Sequence, residues 1–218
     1  MSEPAFDSRG RLNRRRFSSA LALSPLAAAL PTQAQAATAT VGQPAPDFSA
    51  QDTSGKAHKL SDFKGKLVVL EWTNPGCPFV VKHYGGNMQA LQKEFTAKGV
   101  VWLAVNSTAR EAADCHAPAQ LAGWMKGKAG APTATLMDEP GRVGQLYGAK
   151  TTPHMVIVSP QGVLVYAGAI DSIASARESD IRTATNYVRQ GLSEALAGKP
   201  LSVATTRAYG CSVKYRSA

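Results

Sequence analysis

The strongest constraint on this chain is Leu67-Val68-Val69-Leu70, an unbroken apolar run bounded by Gly65 and by the turn Asn74-Pro75-Gly76. A strand that is apolar at every position must be covered on both faces. Such strands belong to parallel sheets, whose neighbouring strands need a crossover between them, usually a helix. The sequence supplies one at once. After Cys77-Pro78, the residues Val81, Tyr84, Met88, Leu91 and Phe95 recur at helical spacing, with Gly85-Gly86 as a kink and Gly99 as the stop. A second apolar strand is expected over 100–105, a helix over 119–126 behind Pro118, a strand over 133–137 and a short helix over 141–147. Strands 155–158 and 163–166 flank the turn Ser159-Pro160-Gln161-Gly162 and read as a hairpin. The last helix is expected to open at Ser175, with Glu178 at capping-box spacing. Its apolar face is Ile181, Ala184, Val188, Leu192 and Ala195, and Gly198 and Pro200 end it. The fold class is therefore α/β, a sandwich of helices over a mixed sheet, parallel first and closed by an antiparallel hairpin.

The first 36 residues read as an address. Arg14, Arg15 and Arg16 precede Phe17; an uncharged Ala/Leu/Ser stretch follows to Leu30; Ala34-Gln35-Ala36 is a small-x-small cleavage site. This is the layout of a secretory signal peptide, too short to cross the ~30 Å hydrocarbon core of a bilayer. The Arg-Arg-x-Phe element resembles a twin-arginine signal, which implies bacterial export to the periplasm with no stable membrane insertion after cleavage. The expected organisation is a signal over 1–36, one domain over 37–200 and a tail over 201–218. The net charge of +9, from 24 basic and 15 acidic residues, points toward nucleic acid only until its location is considered. Five of those basic residues lie in the address and the rest are dispersed, without an Arg cluster or a basic-aromatic ladder. Nucleic acid is not an expected partner.

Cys77 stands where the buried strand hands over to a helix. A thiol there faces unpaired backbone N–H groups and the positive end of the helix dipole, both of which favour the nucleophilic thiolate. Pro78 fits the first turn, where its missing N–H is not needed. Val80 and Val81 are expected to wall the site, and Lys82 and His83 to lie on a solvated helix face.

These pieces resemble the thioredoxin-like superfamily and, within it, the redoxin family of alkyl hydroperoxide reductase/thiol-specific antioxidant (AhpC/TSA) type. The likeness rests on Gly42-Gln-Pro-Ala-Pro-Asp-Phe48, Leu60-Ser-Asp-Phe-Lys-Gly-Lys66, Asn74-Pro-Gly-Cys-Pro-Phe79 and Thr151-Thr-Pro-His154. It implies a three-layer α/β/α sandwich. It also implies that Pro153 is a cis proline facing Cys77, and that the backbone there, with Thr152, pairs with an extended substrate. Glu71 takes the place of a buried acid that relays protons, and Trp72, Thr73 and Pro78 flank the thiol. No cofactor and no metal are implied.

The family patterns also break here. Val80 occupies the position of the second cysteine in Cys-x-x-Cys oxidoreductases, so no vicinal thiol can release a mixed disulfide. Peroxiredoxins carry Thr or Ser three residues before the cysteine and Pro four before that; Asn74 and Leu70 stand there instead. Cys211, in Tyr209-Gly-Cys-Ser-Val-Lys-Tyr215, is the candidate resolving cysteine from a mobile or docked tail. Cys115-His116, beside Asp114, is a second candidate and a weak metal motif. The expected function is a thiol oxidoreductase acting on disulfides or peroxides with an external reductant. The alternative is a thioredoxin-fold binding or chaperone-like module without turnover.

Overall fold

The buried run becomes β3, Val68–Trp72, an interior strand of a seven-stranded sheet in a computed structural model that describes residues 38–216. The expected signal over 1–36 lies outside the described residues. Chain order gives β1 (Ser49–Asp52), β2 (Ala57–Lys59), β3, α1 (Pro78–His83), α2 (Asn87–Ala97), β4 (Val101–Asn106) and α3 (Pro118–Gly127). Then come β5 (Ala134–Met137), α4 (Arg142–Leu146), β6 (Thr151–Thr152), β7 (His154–Val158), β8 (Leu164–Gly168), α5 (Tyr187–Leu196) and β9 (Cys211–Ser212).

The sheet order is β2-β1-β5-β4-β3-β7-β8. Strands β3, β4 and β5 are parallel, whereas β7 runs antiparallel to both β3 and β8. All five residues of β3 and all six of β4 are buried, as expected for strands with helices on both faces. Alternation along β3 splits the core. Val69 joins Tyr84, Met88, Leu91, Phe95 and Trp102 on one face, and Val68, Leu70 and Trp72 join Leu103, Leu136, Val143 and Tyr147 on the other.

Three expectations are corrected. The helix after Cys77 is two helices rather than one kinked helix, because Gly86 at φ 137° breaks the path. The break resets the phase: Val80 is the buried valine of α1 and Val81 is 39% exposed. The last helix begins at Tyr187, where the Asn186 side chain accepts the Arg189 N–H, and 178–182 is a short 3-10 turn instead. The N-terminal hairpin of β1 and β2 carries no apolar run and was not expected.

The tail does not stand apart from the domain. Ala167 N–H donates to Ala204 O and Thr206 N–H to Ala167 O, so the tail covers the open edge of β8. It then forms β9 against β6, with Thr151 opposite Ser212 and Thr152 opposite Cys211. Beyond that, Ala109 N–H donates to Lys214 O, and Tyr215 Oη donates to Ala149 O at 2.6 Å.

Candidate active site

Asn74 fixes the turn that presents Cys77. Its Oδ1 accepts the Gly76 N–H at 2.8 Å, and its Nδ2 donates to Thr108 Oγ1 at 2.9 Å and Asp114 Oδ2 at 3.1 Å. This Asx turn anchors the loop to two other segments. Cys77 is the N-cap of α1 in extended conformation, with Pro78 in the first turn. The residue is only 2% exposed. Its Sγ donates to the Thr152 carbonyl at 3.0 Å. The Thr152–Pro153 bond is cis, as the resemblance implies.

The tail brings Cys211 to the same place. Cys211 is paired opposite Thr152 in β9, so both cysteines meet at the residue whose carbonyl accepts the Cys77 thiol. Burial pushes the Cys77 thiol up. Hydrogen bonds from the Cys211 side chain, the Thr152 side chain and the backbones of Cys211 and Val80 outweigh it, so Cys77 ionises below the ordinary thiol range. Burial, and then the competing Cys77 sulfur, push Cys211 the other way. The two shifts run in opposite senses, so Cys77 is the thiol that ionises more readily and is the nucleophile of the pair. Gly210 permits the approach: it sits at φ 132°, and a Cβ there would collide with the Thr152 carbonyl oxygen.

On the thiol's side of the sheet, Glu71 is fully buried. Its carboxylate accepts from Tyr84 Oη at 2.7 Å, Trp102 Nε1 at 2.7 Å and Gln92 Nε2 at 3.0 Å. Burial pushes the carboxyl up to about 7, against the three donors that favour its charge. Lys82 and His83 are not on a solvated face. Both side chains are 0% exposed, because the short α1 is covered on that side by the loop carrying Asp171 and by the tail. Lys82 Nζ lies 3.5 Å from Asp171 Oδ2, and Tyr209 Oη donates to Asp171 Oδ1. His83 accepts from Asn87 at Nδ1 and meets Tyr209 Oη through Nε2 at 3.3 Å. Burial lowers the His83 pKa to about 4, with Asp171 opposing and Lys82 assisting, so the ring is neutral at ordinary pH.

Not every candidate comes to the thiol. Trp72 is one residue beyond Glu71 and so points to the opposite face. There its Nε1 donates to Ser107 Oγ at 3.1 Å, and Ser107 donates to Asp138 at 2.6 Å. Thr73 is 1% exposed, and its Oγ1 makes no hydrogen bond of ordinary geometry. His154 packs edge-on against Trp72, with both ring nitrogens unpartnered; burial lowers its pKa to about 4. Cys115 is partly exposed on the loop that Asn74 holds through Asp114, and burial raises its thiol. Sequence reasoning missed Asn74, Asp171, Tyr209 and Gln92. The spacing of Tyr209, two residues before Cys211 and therefore on the same side of an extended chain, was the available signal for one of them.

An acidified thiol with a second cysteine beside it can exchange with a third sulfur and then close on its neighbour. The AhpC/TSA family pattern matches residues 41–167. The thiol-disulfide oxidoreductase ResA of Bacillus subtilis is 30% identical over 124 residues, 57% of this chain and 64% of that protein. The match thus spans just under two thirds of the curated relative's length. Among solved structures, a hypothetical protein from Sinorhizobium meliloti superposes with a TM-score of 0.70 at 22% identity, covering 84% of this chain and 98% of that one. A candidate thiol:disulfide interchange protein DsbE from Chlorobium tepidum superposes at 0.55 and 23% identity, covering 73% and 99%. The likeness to both structures is one of fold, thioredoxin-like in architecture.

Proposed function

The chain belongs to the AhpC/TSA family, and from that premise we propose an exported two-cysteine thiol oxidoreductase in which Cys77 attacks and Cys211 resolves. The observation that carries this reading is the meeting of both cysteines at Thr152, whose carbonyl accepts the Cys77 thiol and which pairs with Cys211 in β9.

The cycle balances in two steps. The Cys77 thiolate attacks one sulfur of a substrate disulfide, forms a mixed disulfide and expels the other sulfur as a thiolate. Cys211 then gives up its proton and attacks Cys77 Sγ, which forms the Cys77–Cys211 bond and releases the second substrate sulfur. Two electrons pass from the two protein thiols to the substrate, and an external dithiol restores them. Glu71, ionising near 7 within the thiol's layer, serves as a proton store for this exchange. Thr152 and Pro153 line the seat of the substrate, with Pro78 closing the first turn of α1.

Disulfides fit better than peroxides. The residue three before Cys77 is Asn74, whose side-chain oxygen and nitrogen are already engaged in the turn, so it has no hydroxyl for a peroxide oxygen. The export reading rests on the arginine-rich pattern of residues 1–36; an oxidising compartment supplies the disulfides. Among the described residues, no helix is long and apolar enough to cross a membrane.

The test is insulin-disulfide reduction and hydroperoxide consumption by the mature protein, with Cys77→Ser and Cys211→Ser beside it. Disulfide turnover lost in Cys77→Ser, and stalled after one turnover in Cys211→Ser, is expected. A Cys77 inert to thiol probes in the wild type would sink the enzyme reading in favour of a binding module. Hydroperoxide consumption exceeding insulin reduction would reverse the substrate assignment.

A further inference from the structure

The buried cluster of Lys82, His83, Asp171 and Tyr209 is used by none of these steps, yet it joins the nucleophile's helix to the tail that carries Cys211. Resting on the two-cysteine reading, we propose that Tyr209 is the positioning residue that latches the tail and holds Cys211 against Cys77. The argument starts from the weakness of β9. Two residues of pairing with a two-residue β6 cannot by themselves fix a strand. Something else must hold Cys211 in register.

Spacing identifies it. Tyr209 stands two residues before Cys211, across the bend at Gly210, and so at most the ~6.7 Å span of an extended chain from it. Along a helix, the five residues from Cys77 to Lys82 advance ~7.5 Å. The tail therefore lies along α1 in the opposite sense, with Cys211 meeting the helix start and Tyr209 the helix end. The Tyr209 ring spans the helix: it packs edge-on to Phe79 in the first turn at 5.8 Å, and Lys82 Nζ in the last turn sits 5.8 Å from the ring centroid. Tyr209 Oη donates to Asp171 and lies 3.3 Å from His83 Nε2. Asp171 also faces Lys82 Nζ and accepts the Ile173 N–H. One hydroxyl from the tail thus completes the partners of a buried carboxylate that already balances a buried ammonium. Its loss leaves Asp171 short of a donor where water is scarce. A hollow of about 510 Å³, bordered by Asp171, Tyr187, Arg207, Tyr209 and Gly210, lies beside the latch. Tyr209 can release into it without opening the core beneath the sheet.

The experiment separates attack from resolution. Reduced full-length protein is mixed with excess glutathione disulfide, quenched with acid at intervals and read by intact mass. The wild type should pass quickly through the Cys77–glutathione adduct to the internal disulfide. Tyr209→Phe keeps the ring on Phe79 and loses only the hydroxyl. It should lengthen the life of the adduct about tenfold or more, the worth of one hydrogen bond to a charged group. Tyr209→Ala should lengthen it further. Adduct formation should not slow in either variant, a split that general loosening of the domain would not give. Equal adduct lifetimes in the wild type and both variants overturn the latch. Cys211→Ser is the control: if it traps the adduct while Tyr209→Phe does not, the latch alone fails. If Cys211→Ser resolves as the wild type does, the two-cysteine reading fails and the latch falls with it.

Discussion

The two thiols reach the same spot by opposite means. Cys77 is placed by its neighbours in sequence: a fully buried strand, an Asx turn, and a proline in the first helical turn. Around it Glu71, Tyr84, Gln92 and Trp102 form a closed set of hydrogen bonds under the sheet. Cys211 is placed by contacts with segments distant in sequence: a two-residue strand, a glycine pressed on a carbonyl, a tyrosine reaching a buried ion pair, and beyond it the bonds of Val213 and Tyr215 to Lys150 and Ala149. The difference suits their chemistry. An attacking thiolate needs a fixed electrostatic setting. A resolving thiol must approach, react and withdraw, so it belongs on a part of the chain with low local stability.

The comparison places the molecule's response to pH at the nucleophile's end. The folded pKa of Glu71 is about 7, raised above its ordinary value of 4.5 by burial. The folded state therefore holds a proton that the unfolded chain releases earlier, so the carboxyl's contribution to stability is greatest below pH 4.5, falls as pH rises from 4.5 to 7, and levels off above; the buried neutral rings of His83 and His154, lowered to about 4, contribute in the opposite sense. The full loss is on the order of 3 kcal/mol. Glu71→Gln removes the ionisation and keeps the volume. Its carbonyl can accept from Trp102 and Gln92 while its amide donates to the Tyr84 oxygen. Urea unfolding at pH 5, 6, 7 and 8 should show the stability of the wild type relative to the variant declining with pH, since the histidines act alike in both. A difference between the two that does not change with pH would mean that the buried carboxyl does not titrate in this range.

The nucleophile's end was also the legible one. The run Leu67–Leu70, the turn and Cys77-Pro78 are local signals, and each encodes its own geometry. The cis bond at Pro153 and the burial of Glu71 came from the family likeness, which is itself carried by short motifs. What stayed hidden depends on contacts distant in sequence. Lys82 and His83 read as solvated because nothing nearby announces Asp171, which arrives 89 residues after Lys82. Trp72 read as a flank of the site because alternation along β3 says only that Glu71 and Trp72 face opposite ways, not which of them faces the thiol. The break at Gly85-Gly86 was visible, but not that it would turn Val81 outward in favour of Val80. Cys211 was legible as a residue and illegible as a position, since a two-residue strand has no periodicity to read.

The tail's placement should give way to a smaller push than the nucleophile's. Gly210→Ala puts a Cβ against the Thr152 carbonyl at a φ that side chains seldom adopt, a strain of about 1–3 kcal/mol. That corresponds to a loss of roughly 10- to 100-fold in the effective concentration of Cys211 at Cys77. Equilibrating the protein with mixtures of reduced and oxidised glutathione reads this concentration directly. Cys77, no longer covered, should also alkylate faster with iodoacetamide. Unchanged values for both would show that the tail carries Cys211 to its partner without the close β6 contact, and the contrast between a fixed and a yielding thiol would weaken.

The smallest effect sharpens the same contrast from the tail's far end. Arg216 Nη2 lies 2.8 Å from Glu111 Oε1, with the two side chains 73% and 58% exposed. On distance alone this pair looks as strong a fastener as any in the tail. Solvent screening and the entropy of two long side chains leave such exposed pairs with little or no net contribution. The half-buried tyrosines differ: Tyr215 donates to the Ala149 carbonyl and lies against Gly141 and Gly144, and Tyr209 engages a carboxylate shut away from water. Arg216→Ala should therefore leave both the melting midpoint and the glutathione equilibrium of the Cys77–Cys211 pair where they are in the wild type, in low salt as in high. A shift in that equilibrium that vanishes with added salt would move the tail's hold from its half-buried tyrosines to its surface charges.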